Sequence, residues 1–190
     1  QNGVGLAQIA MCAPKADVCI HPQLDPNYFL CQYPDNYTLI VYEKLFGAQE
    51  RERLARFPMI NGGVFGATAT SPLWKKWQLA LEEVRARQIQ EKSRFFSDQI
   101  PLHRLIYSGH LTICPLRAIN NWLVLHGVPR LDKSTGRLTA PSFPYEEINI
   151  VHLVGNSKWL KYDLDGSVTS LRYSALHAQS DCNPWHAQAG

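Results

Sequence analysis

The run Ile148-Asn149-Ile150-Val151-His152-Leu153-Val154-Gly155-Asn156-Ser157-Lys158-Trp159 leads from an apolar strand into a histidine, a glycine and a lysine at fixed spacing. These are parts for holding a metal diphosphate. An imidazole can ligate a divalent ion, a glycine lets backbone approach an anion closely, and an ammonium offers a point charge to phosphate oxygens. A plain structural alternative, a buried histidine at a strand end followed by a turn glycine and a surface lysine, stays open on spacing alone.

The elements that must position these groups are read from pattern. Residues 4–12 are apolar and small, and Ala16-Asp17-Val18-Cys19-Ile20 reads as a short buried strand closed by His21-Pro22, so a helix followed by a strand is expected. Residues 25–36 carry Pro26, Pro34 and several aromatics and suit an ordered surface loop. From 37 to 57 the signals conflict. Thr38-Leu39-Ile40-Val41-Tyr42 is rich in strand formers, residues 48–54 are charged and helix-prone, and Gly47 is the natural break.

A strand, turn and helix follow one another from Met59-Ile60-Asn61-Gly62-Gly63-Val64-Phe65-Gly66 to about residue 92. Ser71 is placed to cap that helix and Pro72 sits at its first position, where a missing N–H is harmless. Trp74, Trp77, Leu81 and Val84 form its inward stripe, with Glu83 and Arg87 on the solvent side. A second helix opens at Ser97-Asp98-Gln99, with Ser97 as cap and Leu102, Leu105 and Ile106 inward, and ends near Gly109. Residues 111–116 read as a strand, 120–127 as an irregular turn or short helix, and 133–136 as a tight turn. Residues 141–145 make a rigid approach to a strand beginning at Ile148, and 163–190 form an irregular, polar tail.

With 190 residues, 45% of them hydrophobic, and a formal charge of +3 from interspersed acids and bases, the chain supports one compact domain and gives no argument for nucleic acid or an anionic membrane. Five cysteines without a CxxC pair argue against a full disulfide framework and a zinc ribbon and suggest mostly buried thiols. No apolar run reaches the roughly 20 residues of a membrane span, and no signal core opens the chain, which favours the cytoplasm. The sequon Asn36-Tyr37-Thr38 matters only in a secreted protein. Gln1-Asn2-Gly3-Val4 reads as the middle of a longer chain, so a fragment is expected.

Taken in order, Asn61-Gly62-Gly63-Val64-Phe65, Asp98-Gln99 and the stretch from His152 to Trp159 resemble the C-terminal half of the retaining nucleotide-sugar glycosyltransferases of the glycogenin and lipopolysaccharide galactosyltransferase kind. Each motif alone is weak, and the three in sequence over residues 59–159 are stronger. The resemblance implies an α/β fold, a mixed sheet flanked by helices and similar to nucleotide-diphospho-sugar transferases, with its site at the strand ends. It implies a hexose moved with retention from a nucleotide-diphosphate sugar to a saccharide or glycoconjugate acceptor, with Mn2+ or Mg2+ as cofactor. By the same resemblance, His152 ligates the metal, Lys158 contacts the diphosphate and Gly155 lets that loop close on it. Asn61 and Gly62 lie beside the donor sugar, and Asp98 and Gln99 sit near its anomeric carbon.

Two departures bear on this reading. The family's Asp-x-Asp metal motif is absent, and Gln23-Leu24-Asp25 after the first strand keeps one carboxylate, Asp25, as the candidate second ligand. The N-terminal nucleotide-binding half is also missing, which means either truncation or a degenerate relative. A non-catalytic carbohydrate-binding or scaffold protein of the same fold is therefore the alternative, with Trp122, Tyr145 and Trp159 as stacking aromatics. A zinc hydrolase is poorly supported, because His103 and His110 lack an HExxH context and no cysteine cluster is visible in the sequence.

Overall fold

In the computed structural model, residues 3–28, 33–90, 98–154, 157, 160–164, 166–169 and 171 are described. The chain begins with helix α1 (Gly3–Cys12), passes through a 3-10 turn (Ala13–Lys15) and enters strand β1 (Val18–Pro22), the expected helix then strand. Strand β1 is central in a three-stranded mixed sheet. Strand β2 (Ile60–Gly66) runs antiparallel on one side and β3 (Ile113–Pro115) parallel on the other. Val18, Cys19, Ile20 and His21 are all buried, as befits a strand covered on both faces. The register shifts between Ile20 and His21, a local irregularity of the kind that re-aims a side chain.

The segment 38–42 is helical. Helix α2 (Asn36–Phe46) buries Val41, Tyr42 and Leu45, and the Asp35 carboxylate caps it by accepting from the Thr38 N–H at 2.8 Å. A buried stripe at helical spacing and a good cap outweigh the strand preference of the β-branched residues. Gly47, at φ 89°, separates α2 from α3 (Ala48–Leu54), as its position suggested.

Helix α4 (Leu73–Gln90) starts as expected: Ser71 Oγ accepts from the Leu73 N–H at 3.1 Å, and Pro72 precedes it. Its inward stripe is Leu73, Trp77 and Val84. Trp74 is displaced to the rim, where it is exposed and donates its Nε1–H to the Thr68 carbonyl. Glu83 and Arg87 pair at 2.7 Å, but they also face neighbours: Arg87 donates to the Leu45 carbonyl and Glu83 accepts from Arg104. Helix α5 (Gln99–Tyr107) is capped by Asp98, whose carboxylate accepts from the Gln99 N–H; Ser97 lies outside the described residues. Leu102 and Ile106 are buried as expected, and so is His103. Each fully buried aliphatic side chain contributes about 1.5–3 kcal/mol.

Beyond β3, a 3-10 turn (Ala118–Asn120) leads into β4 (Trp122–Leu123), which pairs in parallel with β7 (Val151–His152). The expected strand from Ile148 is thus only two residues long, and the approach is held by backbone bonds from Asn149 and Ile150 to the Ile119 carbonyl. The turn at 133–136 joins the hairpin β5 (Arg130–Asp132) and β6 (Arg137–Thr139). Part of the tail expected to be irregular is a second hairpin, β8 (Tyr162–Leu164) with β9 (Ser167–Thr169). Its Tyr162 and Leu164 enter the core around Trp122, which is the physical reason the segment is ordered.

Candidate functional site

His152, Asn121 and Asn61 form one hydrogen-bonded chain, and its polarity follows from the backbone. The Gly63 N–H can only donate, so the Asn61 atom it meets at 2.8 Å is Oδ1. Asn121 then offers its Nδ2–H2 to the same oxygen, at 3.1 Å. That leaves Asn121 Oδ1 facing His152 Nδ1 at 2.9 Å, so Nδ1 carries the proton and donates. The consequence is chemical: Nε2 of His152 keeps its lone pair. Burial holds the imidazole below its ordinary range, which makes it neutral at neutral pH. A neutral imidazole oriented through its other nitrogen is the arrangement of a metal ligand.

Asn121 is fully buried and lies directly before β4, whereas Asn61 lies in β2. The bridge therefore couples the three-stranded sheet to the β4–β7 pair that carries His152. It does so where β1 and β3 end, the usual place for a ligand in an α/β sheet. Gly63 sits against the imidazole: a Cβ added there would lie 1.8 Å from His152 Cε1 and within 2.7 Å of both ring nitrogens. Asn121 and Gly63 are functional candidates that the sequence reading passed over. The Asn-Gly-Gly triplet was the available signal for Gly63, and nothing local marked Asn121.

Of the other expected site residues, Gly62 and Gln99 come together, since a Cβ at Gly62 would be 3.6 Å from Gln99 Cγ. That is ordinary contact, so Gly62 is not sterically required. Asp98 is exposed at the start of α5, its carbonyl accepts from Trp77 Nε1–H at 2.9 Å, and it has no hydrogen bond to Asn61, Asn121 or His152. Asp25 follows β1 and is engaged in a turn, where Oδ1 accepts from both the N–H and Nδ2 of Asn27 at 2.9 Å. Its charge is felt by His21, the buried residue opposite Asn61 in the β1–β2 register. Gly155 and Lys158 lie outside the described residues, as does Trp159.

His21 is bound at both nitrogens. Its Nδ1–H donates to the Leu116 carbonyl at 3.1 Å, and Nε2 faces the Tyr28 hydroxyl at 3.4 Å, which in turn accepts from the Leu123 N–H. Two cavities, one of about 310 Å³ between α2, α4 and α5 and one beside the β5–β6 hairpin, share no residue with the His152 chain. Of the aromatics considered for stacking on sugars, Trp122 is fully buried with its Nε1–H on the Gly127 carbonyl, so it cannot stack on a ligand. Tyr145 is exposed, with the Arg130 guanidinium 4.8 Å from its ring centre.

The absence of a visible cysteine cluster is corrected by the fold. Cys12, Cys19 and Cys114 are free, and their sulfurs all lie within 4.8 Å of one another, a group able to hold a metal ion. Sequence could not show it, because Cys114 reaches Cys19 only through strand pairing. Among the described residues, no helix is long and apolar enough to cross a membrane. Comparison with protein-family models, curated proteins and solved structures finds no match to this chain.

Proposed function

We propose that this chain carries the donor-sugar and diphosphate part of a retaining glycosyltransferase site, for moving a hexose from a nucleotide-diphosphate sugar to a saccharide or glycoconjugate acceptor. The observation that supports this most is the neutral His152 imidazole, held through Asn121 with Nε2 available. Where a divalent ion, Mn2+ or Mg2+, accompanies the donor, His152 Nε2 and Asp25 would hold it, with the diphosphate and water completing its shell. Such an ion would neutralise charge on the departing diphosphate.

Among the described residues, the side-chain hydrogen bonds of Asn61 both fall on Oδ1, and its Nδ2–H2 is the group we assign to a hydroxyl of the donor sugar. Gln99 packs over Gly62, beside that position, and Asp98 at the helix start is an exposed carboxylate able to balance positive charge at the anomeric carbon. Lys158 is the proposed diphosphate contact and Gly155 the hinge of its loop. The test is incubation of the full chain with a uridine-diphosphate hexose and manganese: release of uridine diphosphate and a product or hydrolysed sugar of unchanged anomeric configuration is expected. No donor turnover and no nucleotide binding would contradict it.

One observation favours the alternative, a glycan-binding module without catalysis. Phe143 is 85% exposed and stands 6.3 Å from the exposed Tyr145 ring, an apolar pair at the surface. Glycan binding that persists in a chelator, together with no donor hydrolysis, supports that reading over the transferase.

A further inference from the structure

We infer that Cys12, Cys19 and Cys114 form a thiolate site for one thiophilic divalent cation of the zinc type, separate from the His152 chain. Three elements deliver the sulfurs. Cys12 ends α1, Cys19 lies in β1, and Cys114 is its direct partner in the parallel β1–β3 register. The approach of α1 to the sheet depends on Gly66, which pairs with Cys19 across β1 and β2. A Cβ at Gly66 would lie 2.4 Å from Ile9 Cγ2, so only glycine lets α1 come close enough for Cys12 to join the other two.

The geometry suits zinc. With Zn–S bonds of about 2.3 Å, tetrahedral sulfurs stand roughly 3.8 Å apart, so a group already within 4.8 Å needs a contraction of no more than about 1 Å. Cys19 is buried while Cys12 and Cys114 are partly exposed, which gives the ion a route in and leaves its fourth position to water. Ile9, Leu116, Val64 and Ile150 wall the group with apolar surface. Soft thiolates choose zinc over the hard manganese ion, so this site and the proposed donor site take different metals.

Without metal, Cys19 and Cys114 are held as thiols. Burial, reinforced by the neighbouring Cys12, pushes the Cys19 thiol up to about 12, and Cys114 is raised chiefly through its hydrogen bond with Cys12. Binding therefore reads as three thiols plus one Zn2+ giving a tris-thiolate complex of net charge −1 and three protons to solvent. The Lys15 ammonium, which already acts on Cys114, offsets that charge.

The experiment is titration of the reduced full chain with Zn2+ and, in parallel, with Co2+, whose thiolate charge-transfer band counts sulfur ligands. One equivalent is expected to bind, with the same band retained in a Cys31→Ser, Cys182→Ser double variant. Cys12→Ser and Cys114→Ser, at partly exposed positions where folding is checked by circular dichroism, are each expected to weaken binding at least 100-fold. No binding by the reduced chain, binding unchanged in both single variants, loss in the double variant, or a spontaneous disulfide in place of metal uptake would each overturn the assignment.

Discussion

His103 and His152 are both neutral histidines, one fully buried and one half-buried, and the fold holds them in opposite ways. His103 on α5 is fully buried with both nitrogens engaged: Nε2–H donates to the Pro58 carbonyl at 3.0 Å, and Nδ1 accepts from the Tyr42 hydroxyl at 2.5 Å. Tyr42 and Tyr107 enclose its ring. At His152, by contrast, Nδ1 alone is bonded among the described residues. The difference lies in the partner of the second nitrogen, and it separates a histidine that holds helices together from one that can bind something.

The position of the His152 ring depends most strongly on Gly63. Replacing it with alanine puts a methyl group into the His152 ring, so the imidazole must leave Asn121. A loss of at least roughly 100-fold in nucleotide affinity is expected by isothermal calorimetry, with about 2–4 kcal/mol of stability lost in denaturant melts. Wild-type affinity in Gly63→Ala would show that the ring position is irrelevant to binding.

The second test uses pH. Burial lowers His103 to about 4, while in the unfolded chain it titrates near its ordinary 6.5. Between those values the unfolded state binds more protons, so stability is complete above pH 6.5 and declines as pH falls toward 4. The His103 share is at most about 3 kcal/mol, and His21, His126 and His152, also lowered by burial, act in the same direction. Urea midpoints measured from pH 7.5 to 4.5 should be flat down to about pH 6.5 and then fall, less steeply in a His103→Phe variant.

Tyr42→Phe sharpens the contrast further. It leaves His103 Nδ1 buried without its donor and should cost about 1–3 kcal/mol, with nucleotide affinity unchanged within twofold. An affinity loss matching the stability loss would mean that the two histidines belong to one cooperative unit. The smallest effect on folding is expected at Gly62→Ala. Its methyl group meets only ordinary contact with Gln99, so stability should change by less than about 1 kcal/mol while donor-sugar affinity falls through lost room. Equal destabilisation at Gly62 and Gly63 would contradict the placement of the ring.

What could be read from the sequence was what is local. The Ser71-Pro72 start of α4, the Gly47 break and the 133–136 turn each depend on a few adjacent residues, and each is present. Segment 38–42 misled because its β-branched residues belong to a helix whose buried stripe and Asp35 cap decide the matter. The β8–β9 hairpin was missed because Tyr162 and Leu164 are ordered by packing near Trp122, some 40 residues earlier, a long-range term that no local pattern carries. At the site, Asn61 and His152 could be named from sequence, but Asn121, which joins them, could not. The cysteine group had the same obstacle, with Cys19 and Cys114 brought together only by strand register.

The most direct test of the account is the affinity of uridine diphosphate for the full chain in manganese, measured for wild type and His152→Ala side by side with Tyr42→Phe. His152→Ala is expected to lose at least roughly 30-fold, about 2 kcal/mol, with Tyr42→Phe close to wild type. Equal affinity in wild type and His152→Ala would show that the imidazole holds nothing, and the transferase reading would fall with it.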